Sequence, residues 1–243
     1  MKVDSKWVKV DNQGLEIDAY VAMPKTAGIY PGVIVIQEIF GVNEHIQDVT
    51  ERLAEEGYVV IAPAIYQRQA PGFAVGYSEA EVKQGREYKV KTQAQELISD
   101  IRACIVYLYS QPQVKQSGVG TIGFCFGGHV VYLAATLADV AATASFYGAQ
   151  IATWCPGSNQ PTITQTKNIK GTIYAFFGTE DPLIPNEQTE QIEQELIQHN
   201  VEHLVFRYEG ATHGFMCDRR ESYSSDAAED AWKKVLDLFS HKL

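Results

Sequence analysis

Short runs of apolar residues recur along the chain, with helix-like segments between them. Residues 32–36 and 58–62 are apolar almost throughout, as strands buried on both faces are, rather than alternating apolar and polar. Further apolar runs span residues 119–122, 140–146, 172–177 and 203–208. Amphipathic segments with helical spacing lie at residues 46–56, 92–109, 127–137, 187–199 and 226–243. This alternation predicts an α/β fold in which helices cover both faces of a mostly parallel central sheet.

A length of 243 residues fits one such sheet with one core, so we predict a single domain over residues 1–243. Residues 15–21 alternate apolar and polar, which predicts an antiparallel strand at the edge of the sheet. Residues 66–85 and 149–170 fit no element. Both stretches follow strand ends, where open α/β sheets bind ligands, and we predict that they form the pocket walls.

Composition excludes several classes of function. A net charge of −10 disfavours binding to nucleic acid and anionic lipid. No apolar run approaches the ~20 residues that span a bilayer, and the first residues lack the features of a signal peptide, so we expect a cytoplasmic protein with no membrane partner. It should act on a small molecule, as a monomer or small homo-oligomer. The four cysteines and six histidines show no metal-ligand spacing, so we predict neither metal nor cofactor.

One motif points to nucleophilic chemistry. Residues 123–128 read Gly-Phe-Cys-Phe-Gly-Gly between a predicted strand and a predicted helix, which is the setting of the G-x-S-x-G nucleophile elbow with Cys125 in place of serine. Small residues two before and two after the nucleophile allow the sharp turn. The start of the helix favours a thiolate and an oxyanion, for which Phe126 would donate one N–H. Alternatively, Cys125 only packs the core. A G-x-G-x-x-G match at 118–123 encloses a strand instead of following it, and we reject it.

The α/β-hydrolase fold places an acid and then a histidine on loops after later strands. Asp181 follows the run at 172–177, and His213 follows the run at 203–208. His213 would take the thiol proton while Asp181 fixes its tautomer, which predicts a Cys-His-Asp triad. Glu180 is the alternative acid, but Asp181 is favoured because a residue before proline is held extended. We interpret the other cysteines, Cys104, Cys155 and Cys217, as packing residues.

Four segments together resemble the dienelactone hydrolase (carboxymethylenebutenolidase) family. They are Gln-Glu-Ile-Phe-Gly at 37–41, Tyr-Gln-Arg-Gln-Ala-Pro-Gly at 66–72, the elbow at 123–128, and Ala-Thr-His-Gly-Phe at 211–215. The resemblance covers nearly the whole chain. It implies that an enol-lactone, dienelactone, is hydrolysed to maleylacetate through an acyl-enzyme.

The same resemblance implies roles for two more residues: Glu38 would lie near the nucleophile, and Ile39 would donate the second oxyanion N–H. A carboxylate facing a thiol in a dry pocket disfavours the thiolate, so Glu38 could keep Cys125 protonated until substrate arrives. The alternative is that Glu38 is simply a polar residue at the mouth of a strand.

The substrate contacts are less fixed by the pattern. Family members that bind a substrate carboxylate have an arginine shortly after His-x-Phe, where this chain has Met216-Cys217-Asp218 and only then Arg219-Arg220. Candidate contacts in the first pocket wall are Tyr66, Arg68, Arg86 and Tyr88. Two other functions stay open: a broader carboxylesterase or thioesterase, and a non-catalytic protein that binds a ligand in the same pocket.

Overall fold

The computed structural model describes residues 1–243 and contains one eight-stranded sheet. The strands are β1 (Val3–Asn12), β2 (Leu15–Pro24), β3 (Tyr30–Ile36), β4 (Val59–Pro63), β5 (Val114–Phe124), β6 (Val140–Phe146), β7 (Thr172–Gly178) and β8 (His203–Tyr208). The helices are α1 (Glu44–Glu55), α2 (Glu79–Lys89), α3 (Ala94–Ser110), α4 (Phe126–Ala134), α5 (Asn186–Gln198) and α6 (Ser225–Lys242). A short 3₁₀ helix spans Thr162–Asn168.

The strand order is β1-β2-β4-β3-β5-β6-β7-β8. β1 pairs antiparallel with β2, β2 pairs antiparallel with β4, and all remaining pairs are parallel. The predicted α/β architecture is therefore confirmed. The chain leaves β3 for β4 on one side and returns to β5 on the other, and this switch point is where such sheets bind ligands.

Consecutive residues of β3 enter different halves of the core. Val33 and Val35 pack with Leu53 of α1, whereas Ile34 and Ile36 pack with Ile101 of α3. All four β3 side chains are fully buried. This two-sided burial explains why the central strands are apolar throughout and confirms helices on both faces.

Two elements differ from the sequence prediction. The edge strand is β1, so β2 lies one position further in and not at the edge. β1 is rich in polar residues and leaves Trp7 half exposed. Because one face of this strand meets solvent, it has no continuous apolar run from which it could be predicted. The stretch 66–85 also contains the start of α2, where Ser78 and Glu81 form a reciprocal capping box. α2 buries only Gly85, so it has little apolar periodicity.

No helix in the structure is both long enough and apolar enough to cross a membrane.

Candidate active site

Cys125 occupies a strained turn between β5 and α4. Its φ is 55°, in the left-handed region that non-glycine residues seldom adopt. A Cβ at Gly123 would lie 2.2 Å from the Gly127 carbonyl oxygen, and a Cβ at Gly127 would lie 2.3 Å from the Ile36 carbonyl oxygen. Only glycine fits at both positions, as the elbow motif predicts. The backbone N–H of Cys125 donates to Phe146 O at 3.0 Å, which ties the turn to β6.

Two backbone N–H groups near this turn are not used by the fold. Phe126 is the first residue of α4, so its N–H has no partner within the helix. Ile39 lies in the loop after β3, and its N–H donates to no backbone carbonyl. Ile39 and Cys125 line the same cavity. The assignment of these N–H groups to an oxyanion hole stays a prediction.

His213 and Asp181 meet beside Cys125. His213 Nδ1 lies 2.7 Å from Asp181 Oδ2, and both side chains are buried. The other oxygen of Asp181 accepts a hydrogen bond from the Leu183 N–H at 2.8 Å. Glu180 is exposed to solvent. Of the two candidate acids, the structure therefore brings Asp181 to the histidine.

The remaining ring nitrogen of His213 is free. Nε2 is buried and has no hydrogen-bond partner. Burial lowers the pKa of His213, but the negative charge of the Cys125 thiolate and the contact with Asp181 together outweigh it and raise the pKa to about 10. His213 can therefore hold a proton from Cys125 on Nε2.

Cys125 and His213 open into a cavity of about 430 Å³. Its remaining lining residues are Ile39, Phe40, Val82, Arg86, Lys89, Val90, Ala149, Gln150, Leu183 and Arg220. A larger groove of about 790 Å³ lies at the start of α3, but it contains no nucleophile paired with a base. The smaller cavity is therefore the better candidate for the active site, because it contains the nucleophile and its base.

Comparison with known proteins decides the family. The model of the dienelactone hydrolase family matches residues 17–243. The chain belongs to the dienelactone hydrolase family. A Synechocystis sp. protein named "Putative carboxymethylenebutenolidase" is 58% identical over the full length of both chains. A Yersinia pestis protein of the same name is 33% identical, over 95% of this chain and 86% of that one.

A solved structure supports the same membership. The "Putative Dienelactone Hydrolase" of Klebsiella pneumoniae superposes with a TM-score of 0.90 at 29% identity, over 99% of each chain. These findings confirm the α/β-hydrolase fold and the resemblance drawn from the motifs. The chain is a dienelactone hydrolase-like enzyme of the carboxylic ester hydrolase class.

In this dienelactone hydrolase family member, Arg220 reaches the cavity although it comes late after His-x-Phe. Arg220 Nη1 lies 3.0 Å from Glu38 Oε1, and Glu38 is 1% exposed. Two successive turns, from Gly214 to Cys217 and from Cys217 to Arg220, fold the chain back. They bring Arg220 to the cavity although it lies several residues after Phe215. Arg220 therefore lines the cavity, and its contact with a substrate carboxylate stays a prediction. Glu38 lies against this guanidinium.

Of the four predicted substrate-contact residues, one lines the cavity and three do not. Arg86 lines the cavity, but Arg68 does not, because it is ion-paired with the fully buried Asp100 at 2.5 Å. Tyr66 is buried behind the wall, where its hydroxyl donates to Gly85 O at 3.3 Å and its ring stacks on Phe126. Tyr88 packs edge-on against Phe73 and is not a lining residue. The structure therefore does not support Tyr66, Arg68 or Tyr88 as cavity residues.

Sequence reasoning missed Lys89 and Gln150. Lys89 follows Arg86 by three residues on α2, so both side chains leave the same face of the helix. Recognition of α2 from its capping box would have given that signal. Gln150 lies at a positive φ of 65° after β6, and no pattern in the sequence pointed to it.

The other cysteines and the buried histidines His45 and His129 lie outside the cavity. Cys104, Cys155 and Cys217 are buried, and burial raises the pKa of the Cys104 thiol. His129 is held between Ala149 O and Thr162 Oγ1, and burial lowers its pKa to about 4. One group has the residue types of a metal site: His45, Cys217 and Asp218 offer ligand atoms within 4.8 Å of one another. Asp218 is exposed, and Cys217 already contacts the Tyr77 hydroxyl at 3.2 Å.

Proposed function

We propose that this enzyme hydrolyses small carboxylic esters or enol-lactones, with dienelactone to maleylacetate as the type reaction, through an acyl-enzyme on Cys125. One observation carries the proposal. Cys125, on a strained turn at a helix start, shares a cavity with His213, whose Nδ1 is held by Asp181 and whose Nε2 is free. This is the geometry of a nucleophile, its base and the group that orients the base.

The first half-reaction transfers the acyl group to sulfur. The Cys125 thiol gives its proton to His213 Nε2, and the thiolate attacks the carbonyl carbon. The N–H groups of Ile39 and Phe126 would donate to the oxyanion that forms. The C–O bond of the ester then breaks, and the leaving oxygen takes the proton from His213. For a lactone, the leaving group stays attached to the acyl chain.

The second half-reaction releases the acid. A water molecule gives a proton to His213 and attacks the thioester carbonyl, and the C–S bond breaks. The sulfur leaves as a thiolate and His213 keeps the proton taken from water, so the two residues return to the ion pair that attacks the next substrate. Asp181 keeps Nδ1 protonated throughout and stabilises the imidazolium.

The charges at the cavity favour an anionic substrate over a neutral one. Arg86, Lys89 and Arg220 line it, and its lining includes no aspartate or glutamate. Arg220 is paired with the buried Glu38, and a substrate carboxylate would share this guanidinium. We propose that Arg220 and Arg86 bind the carboxylate of the lactone.

A panel of substrates tests the proposal. The purified protein is assayed with a dienelactone, its neutral methyl ester, p-nitrophenyl esters of graded length and acyl thioesters. We expect the anionic lactone to be preferred roughly 30- to 1,000-fold in kcat/KM, because a desolvated arginine–carboxylate contact is worth about 2–4 kcal/mol. Equal kcat/KM for the anion and its methyl ester would indicate a general esterase. No turnover of any substrate would indicate a ligand-binding protein.

A further inference from the structure

Lys89 lines the cavity, but no step of the proposed hydrolysis uses its side chain. It lies one helical turn after Arg86 on α2 and lines the same cavity as Cys125. Lysine side chains at a protein surface normally keep the ammonium in water. Lys89 is instead partly buried at the cavity wall.

The ammonium of Lys89 is held by neutral groups. Its Nζ lies 4.8 Å from the ring centroid of Trp154 and 5.6 Å from that of Phe126, and it donates a hydrogen bond to Gln150 Oε1 at 2.5 Å. No carboxylate lies within 4 Å of it to form an ion pair. Burial lowers the pKa of Lys89, a negative charge on Cys125 would raise it, and the positive charge of Arg86 lowers it further. A partly desolvated cation of this kind gains more from an incoming anion than a solvated one does.

Lys89 and Arg220 occupy different walls. The guanidinium of Arg220 lies over the rings of Phe40 and Tyr77 and pairs with Glu38. Lys89 lies over Phe126, the residue that directly follows Cys125. Lys89 and Arg220 therefore share no contact residue, and the charge of Cys125 acts on both of them.

We propose that Lys89 forms a second anion subsite, so that the preferred ester or lactone carries two anionic groups, one bound by Arg220 and Arg86 and the other by Lys89. This inference rests on the proposed function. It names a substrate class, dianionic esters, and a specificity residue, Lys89, that touches the second anion.

The test uses esters that differ in the number and position of their carboxylates. Phenyl butyrate has no carboxylate, phenyl hydrogen succinate has one on the acyl group, 4-carboxyphenyl butyrate has one on the leaving group, and 4-carboxyphenyl hydrogen succinate has both. For each ester, kcat/KM of a variant is divided by that of the wild type, so intrinsic differences in ester reactivity cancel. The variants are Lys89→Gln, Lys89→Arg and, as a charge-matched control on an exposed part of the same helix, Lys83→Gln.

We expect Lys89→Gln to lower kcat/KM roughly 10- to 100-fold for the doubly charged ester and for one of the two singly charged esters, as the loss of a hydrogen bond to a charged group would. The neutral ester should change less than about twofold, Lys89→Arg should retain the preference, and Lys83→Gln should change nothing. An equal loss on all four esters, or no loss on any, would overturn the inference.

Alkylation of Cys125 provides a readout that needs no turnover. The rates of modification by anionic iodoacetate and neutral iodoacetamide are measured for each variant. If Lys89 attracts an anion to the sulfur, Lys89→Gln lowers the iodoacetate rate relative to the iodoacetamide rate. If Lys89 only stabilises the thiolate, both rates fall together and the inference is overturned. A wild type that hydrolyses none of the esters or lactones would overturn the proposed function, and the alkylation ratio would still decide the subsite.

Discussion

Asp181 Oδ2 lies 2.7 Å from Nδ1 of His213, and the opposite nitrogen of that ring has no partner. Asp181 comes from the loop after β7 and His213 from the loop after β8, and these two strands are parallel neighbours. The sheet therefore brings the ends of both strands to one edge and fixes which nitrogen faces the cavity.

The first prediction concerns this pair. Asp181→Asn should lower kcat roughly 1,000-fold or more, because an amide can hold the imidazole in the wrong tautomer. The asparagine oxygen can still accept from the Leu183 N–H, so the fold should persist. Glu180→Gln, one residue away on the exposed side, is the matched control and should change kcat little. A severe Glu180→Gln effect beside a mild Asp181→Asn effect would reverse the assignment.

The second prediction concerns the protonation of His213. Because its pKa is raised to about 10, the protonated ring stabilises the folded state. That contribution is complete below the ordinary pKa of about 6.5 and is lost as the pH rises through about 10. NMR titration of histidine-labelled protein should show this late transition. In Cys125→Ala the thiolate is absent and the transition should move to lower pH; an unchanged titration would show that Cys125 does not act on His213.

Strands with both faces buried could be predicted from the sequence, whereas the edge strand β1 and the helix α2 could not. β3 and β6 were predictable because both faces of each are buried, which leaves an uninterrupted apolar run. β1 was missed because its outer face meets solvent and its place depends on pairing with β2. α2 was missed because it buries one glycine and so carries almost no amphipathic signal.

The site shows the same division. Cys125, Asp181 and His213 could be predicted because a strand-end loop and chain order specify them. The position of Arg220 could not be predicted, because two successive turns bring it back to Glu38. The number of residues after His213 does not reveal these turns. Arg68 was predicted as a substrate contact because its ion-pair partner, Asp100, lies far along the chain on α3 and could not be recognised from the sequence.

The third prediction separates these two arginines. Arg68→Met should leave kcat/KM nearly unchanged and lower the free energy of unfolding by about 3 kcal/mol, because it leaves Asp100 buried without its cation. Arg220→Met also leaves a buried carboxylate, Glu38, without its cation and should lower the free energy of unfolding as well, but of the two variants only Arg220→Met should raise KM for anionic esters. Urea unfolding and steady-state kinetics on both variants check this, and a large rise in KM for Arg68→Met would return Arg68 to the substrate site.

The fourth prediction tests the tight turn. Gly127→Ala should cost about 3 kcal/mol or more of folding free energy, because its Cβ would meet the Ile36 carbonyl oxygen at 2.3 Å and backbone cannot move aside cheaply. Gly210→Ala, at a positive φ with open space around it, should cost only about 1–2 kcal/mol. Equal losses in urea unfolding would mean that close packing at the elbow is not what requires glycine.

The acyl-enzyme itself gives the most direct test of a cysteine nucleophile. The protein is mixed with a slowly hydrolysed aryl ester, quenched in acid within the first turnover, and examined by intact and peptide mass spectrometry. The account predicts one acyl group per chain, on the peptide containing Cys125, formed with a burst of phenol and absent from folded Cys125→Ala. Acylation at another residue, or full turnover by folded Cys125→Ala, would contradict it.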